Sequence, residues 1–89
     1  MNILLLTHTP NVDNNLPTII YDDGDAETFP ERAKAYFEKD VLAETADGIQ
    51  LDTHWDDEKH RGQIVYSDGS SIQYICTSAR DLDSAMEEN

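Results

Sequence analysis

The chain opens on a continuous apolar run, Ile3-Leu4-Leu5-Leu6, which suits a strand buried on both faces in the middle of a small sheet. Thr9-Pro10-Asn11 ends it, and the Asn, Asp and Pro content of residues 11–17 reads as a loop. Thr18-Ile19-Ile20-Tyr21 is a short second strand that stops at the turn signal Asp22-Asp23-Gly24-Asp25. Thr28-Phe29-Pro30-Glu31 then matches a capping box, with proline where a missing amide costs nothing, and predicts a helix start. Phe29, Ala33, Tyr36 and Phe37 share one face of that helix, and Gly48 is a C-terminal stop. Asp40 falls inside the apolar stripe at about 100° per residue, which predicts a bend or an end near Lys39.

After Gly48 the period changes from helical to alternating. Ile49, Leu51, Thr53 and Trp55 interleave with Gln50, Asp52 and His54, as in a half-exposed strand. Residues 56–62 read as a polar loop. Gln63 to Tyr66 and Ser71 to Thr77 are strand-like and flank Ser67-Asp68-Gly69-Ser70, a strong hairpin signal. Ser78 and Asp81 can cap a last short helix that uses Leu82 and Met86. The expected fold is α+β: one main helix packed on a small antiparallel sheet in the order β-β-α-β-β-β, with a short C-terminal helix. Gln63 to Tyr66 or Ser71 to Thr77 offers an apolar edge that could pair across a two-fold axis, so monomer and homodimer both stay open.

Length and composition sharpen this picture. With 89 residues the chain has room for one domain, 1–89, in which an acidic tail from about residue 82 frays. Hydrophobic content of 38% and a mean hydropathy of −0.62 bring disorder into consideration. Four tyrosines, two phenylalanines and one tryptophan on periodic segments argue instead for a folded domain. Six Lys and Arg against nineteen Asp and Glu give a net charge of −13, which excludes direct binding of nucleic acid or anionic membranes and points to basic partners. The one cysteine, Cys76, can form neither an internal disulfide nor a thiolate zinc cage, and fits a reducing, cytoplasmic compartment. The longest apolar run is far below the roughly 18 residues of a membrane span, with no charged segment before it, so a soluble, unprocessed chain is expected.

Chemistry-bearing motifs are sparse. Asp52, His54, Asp56, Asp57, Glu58 and His60 form the densest polar cluster, yet two histidines without convergent His or Cys partners read as a solvated turn, and no metal or cofactor is expected. No nucleophile motif surrounds a serine or Cys76, which shares a strand face with Tyr74 and Ile72 and reads as a small buried hydrophobe. Trp55 reads as core. The four scattered glycines make no phosphate loop, and the six basic residues do not cluster with aromatics. The chain is therefore expected not to be an enzyme.

The distribution of acids carries more information. Residues 1–21 hold one acid, 22–31 hold five, 38–58 hold eight, 59–80 hold one and the tail holds four. Carboxylates about 6.6 Å apart along one strand face, or roughly 5 to 6 Å apart on a helix, can imitate a row of phosphates. Asp22, Asp23, Asp25 and Glu27 form one candidate binding block, and Asp52, Asp56, Asp57 and Glu58 a second, with Glu38, Asp40, Glu44 and Asp47 between. In length, charge and scarcity of Lys and Arg the chain resembles the small acidic inhibitors of phages and mobile elements, the anti-CRISPR and anti-restriction DNA mimics. The resemblance is compositional, spans the whole chain and rests on no motif. It implies non-catalytic occupation of the DNA-binding surface of a basic host protein, such as a CRISPR effector or a restriction enzyme, in the host cytoplasm if phage-encoded. The competing reading is an acidic protein-interaction module or a salt-adapted protein. Halophilic charge spreads over all surface elements, whereas here it is clustered.

Overall fold

The computed structural model describes residues 1–9 and 17–87, the last without its side chain; the loop expected at residues 11–17 lies almost wholly outside them. The elements follow the expected order: β1 (Asn2–Thr9), β2 (Thr18–Asp22), α1 (Phe29–Ala46), β3 (Leu51–Asp56), β4 (Arg61–Tyr66), β5 (Ser71–Ser78) and α2 (Leu82–Glu87). The five strands form one antiparallel sheet in the order β2-β1-β5-β4-β3. The fold is α+β, with α1 connecting one edge strand to the other. β1 is buried from Asn2 to Thr7, as its unbroken apolar run requires of an interior strand.

Strand alternation divides the apolar residues between two faces. Leu4 and Leu6 of β1 lie opposite Cys76 and Tyr74 of β5 and join Phe29, Ala33, Phe37 and Ile64 in the core beneath α1. Phe37 is its centre, with ring centroids 5.3 Å from Trp55 and 5.1 Å from Tyr74. Trp55 pairs with Gly62, where a Cβ would stand 2.5 Å from the indole Cε3, so the glycine lets the indole lie across β4. On the reverse face Leu5 and Ile75 pack with Ala85 and Leu82. The expected short C-terminal helix forms over Leu82–Glu87; it buries Ala85 where Met86 was expected to pack, and Met86 is exposed, while Glu88 and Asn89 of the tail expected to fray lie outside the described residues.

Two expectations for α1 are corrected. The helix runs past Lys39 to Ala46 because Asp40 has a buried partner: the Tyr74 hydroxyl donates to its carboxylate at 2.6 Å, and one turn on the Tyr66 hydroxyl donates to Glu44 at 2.7 Å. At the start, the Thr28 hydroxyl makes no cap bond to the helix. It donates to the Asp25 carbonyl at 3.3 Å and accepts from Arg32, while Glu31 is exposed. The C-terminal stop holds. Gly48, at φ +82°, donates to the Thr45 carbonyl at 3.0 Å and Ile49 to the Glu44 carbonyl at 3.3 Å, a Schellman motif.

The polar loop expected over 56–62 contracts to a turn between Asp56 and Arg61, anchored by the Asp56 carboxylate, which accepts the Glu58 and Lys59 amides at 2.9 and 3.1 Å. The β4–β5 hairpin turns at Asp68-Gly69 as expected, with Gly69 at φ +89°. Both of its strands are interior, so neither Gln63 to Tyr66 nor Ser71 to Thr77 offers the free edge expected of it. Among the described residues the edge strands are β2 and β3. No helix among the described residues is long and apolar enough to cross a membrane.

Candidate protein-binding surface

The sheet register brings most of the two acidic blocks to one end of the molecule. Asp22 closes β2 opposite Asn2, which in turn lies opposite Ser78 near the end of β5. Asp56 closes β3 opposite Arg61, which lies opposite Ile75, and the His60 carbonyl accepts the Cys76 amide at 3.3 Å. Residues 22–27 and 56–58 therefore flank the end at which β5 finishes. They sit on opposite edge strands of the five-stranded sheet, β2 and β3. The first turns of α1 tie into both: Arg32 Nη2 meets Asp22 at 2.6 Å and Lys34 Nζ meets Asp57 at 3.3 Å.

The eight candidate acids divide by what holds them. Asp22 accepts from Arg32, from the Asn2 side chain at 3.2 Å and from the Gly24 amide at 2.8 Å. The Arg32 hydrogen bond is the main reason its carboxyl stays well below the usual range. This residue fastens β2 to α1. Asp56 keeps its charge because backbone amides, Lys59 first, stabilise the carboxylate, and it shapes the turn. Asp57 shares its charge with Lys34. Asp23, Asp25, Glu27 and Glu58 are exposed and form no ion pair among the described residues. Asp52 is exposed too, but lies opposite Val65 towards the other end of β3, away from the rest.

Of the acids expected between the blocks, Asp40 and Glu44 turn inward to the tyrosines, leaving Glu38 exposed on α1 and Asp47 exposed at its C-cap. Asp81, read from the sequence only as a cap of the last helix, is a further acid of this surface. It follows β5 directly and joins the acidic end, exposed, with Ser78 Oγ donating to its carboxylate at 3.1 Å. Only the strand order reveals its position.

Cys76 is half-buried against the α1-side core, and burial pushes its thiol up to about 11, so little thiolate exists at neutral pH. No group of three or more His, Cys, Asp or Glu side chains among the described residues could hold a metal ion. Comparison of the chain with family models, with curated proteins and with solved structures finds no match.

Proposed function

We propose that this protein is a non-catalytic inhibitor that presents carboxylates in place of DNA phosphates and blocks the nucleic-acid-binding surface of a defence nuclease or another DNA-binding protein. One observation carries the reading: Asp23, Asp25 and Glu27 after one edge strand, and Asp57 and Glu58 after the other, are exposed at one end of the five-stranded sheet. A basic groove shaped for phosphates meets such a surface with complementary potential, which raises the association rate and fixes register. The net charge of −13 adds long-range steering.

Asp56 is a poor site for the test because it anchors its turn, and Asp22 because it fastens α1. The informative variant replaces Asp23 and Asp25 by Asn and Glu27 by Gln, all three exposed. DNA cleavage by a panel of purified CRISPR effectors and restriction enzymes is assayed with increasing inhibitor. The expected result is stoichiometric inhibition of a member of the panel, relieved by excess target DNA and weakened at least tenfold in the triple variant. Inhibition that ignores both DNA concentration and the triple substitution contradicts the reading.

A further inference from the structure

We propose that the outer edge of β2 is a docking site for an extended, basic segment of the partner protein, which adds antiparallel to the sheet as a further strand. The inference rests on the functional reading above for the sign of the partner's charge.

An edge strand presents a row of backbone donors and acceptors, and proteins usually blunt such an edge with lysine, proline or other charges. The two edges here differ. β3 carries Asp52, His54 and Asp56 along its face opposite α1. β2 reads Thr-Ile-Ile-Tyr-Asp, without lysine or proline, and its one charge is already held by Arg32. No described strand pairs with its outer side.

Its surroundings fit a bound strand. A cleft of about 60 Å³ between β2 and α1 is lined by Ile20 and Phe29, and also by Tyr21 and Tyr36. The Asp22–Arg32 pair also lines this cleft. Tyr36 is 39% exposed beside it, while Tyr21, opposite Ile3 and so on the other face of β2, is 64% exposed, and exposed tyrosines flanking an edge strand are typical anchors of protein interfaces. Their ring faces also attract Lys and Arg. The strand leads into Asp23, Asp25 and Glu27, so an antiparallel segment brings its N-terminal residues against three exposed carboxylates. Charge complementarity therefore selects a basic segment. A second copy of this chain, itself at −13, meets like-charge repulsion at the same place.

The test titrates the isotope-labelled full-length protein with the synthetic peptide Lys-Arg-Lys-Val-Thr-Val-Thr-Val and follows backbone amides by NMR. Saturable binding is expected, with shifts and slowed amide exchange centred on Thr18 to Asp22. Affinity should fall about tenfold when Asp23 and Asp25 become Asn, vanish when alternate peptide amides are N-methylated, and hold in Asp52→Asn. Shifts centred on Leu51 to Asp56, equal binding of the N-methylated peptide, or no saturable binding at millimolar peptide overturns the proposal. So does self-association of the protein alone through β2. If the peptide adds to β2 but DNA does not compete for the partner, strand addition stands and phosphate mimicry falls. Competition without peptide addition removes strand addition alone.

Discussion

Gly62 and Tyr74 show how single residues hold the core together. A methyl group at residue 62 would collide with the Trp55 ring, and it would also come within 3.0 Å of Phe37. Gly62→Ala should therefore destabilise the domain by about 1 to 3 kcal/mol, read by urea denaturation followed through tryptophan fluorescence. Tyr74 and Tyr66 donate to Asp40 and Glu44, and burial first, then those carboxylates, push both phenols above their ordinary value. A folded-state value raised above the unfolded one, about 10, means that their contribution is complete below that pH and is lost as pH rises beyond it. Melts from pH 8 to 11 should show stability dropping above about pH 10. Tyr74→Phe should flatten that drop and cost about 1 to 3 kcal/mol at neutral pH, since Asp40 loses its donor. Asp40 also marks the limit of reading by periodicity. An acid in an apolar stripe looks like a helix break until a tyrosine from a distant strand is known to meet it.

Among the elements, those whose signals are local were legible. The apolar run of β1, the Asp68-Gly69 hairpin and the Gly48 stop each depend on a few adjacent residues, and each stands where it was expected. Gly48→Ala should place a Cβ in the left-handed region, cost about 1 to 2 kcal/mol and speed amide exchange in the last turn of α1, as hydrogen exchange can measure. The Thr28 capping box misled because Arg32, committed to Asp22, also engages the threonine hydroxyl. Strand order is non-local. Nothing in Gln63 to Tyr66 or Ser71 to Thr77 reveals that β1 will pair with β5 and enclose both, and the same pairing docks α2 on the reverse face. For the same reason the sequence grouped Asp52 with Asp56 to Glu58, while the strand carries it away from them and the end of β5 brings Asp81 in.

At the scale of the whole molecule, nineteen acids face six basic residues, and two ion pairs link the described residues, both from α1. Repulsion among the remaining carboxylates should weaken the fold at very low ionic strength, so the melting temperature should rise as sodium chloride goes from near zero to moderate concentration. A steady fall over that range would show that specific ion pairs outweigh net repulsion. The acidic end has the opposite salt dependence in binding, since screening removes the attraction to a basic partner. The measurement that bears most directly on the proposed function is the displacement of fluorescent duplex DNA from an inhibited nuclease, followed by anisotropy at several salt concentrations. The expected result is complete, mutually exclusive displacement that weakens as salt rises and in the Asp23, Asp25 and Glu27 triple variant. A ternary complex of nuclease, DNA and this protein, with affinity indifferent to salt and to those three residues, would contradict it.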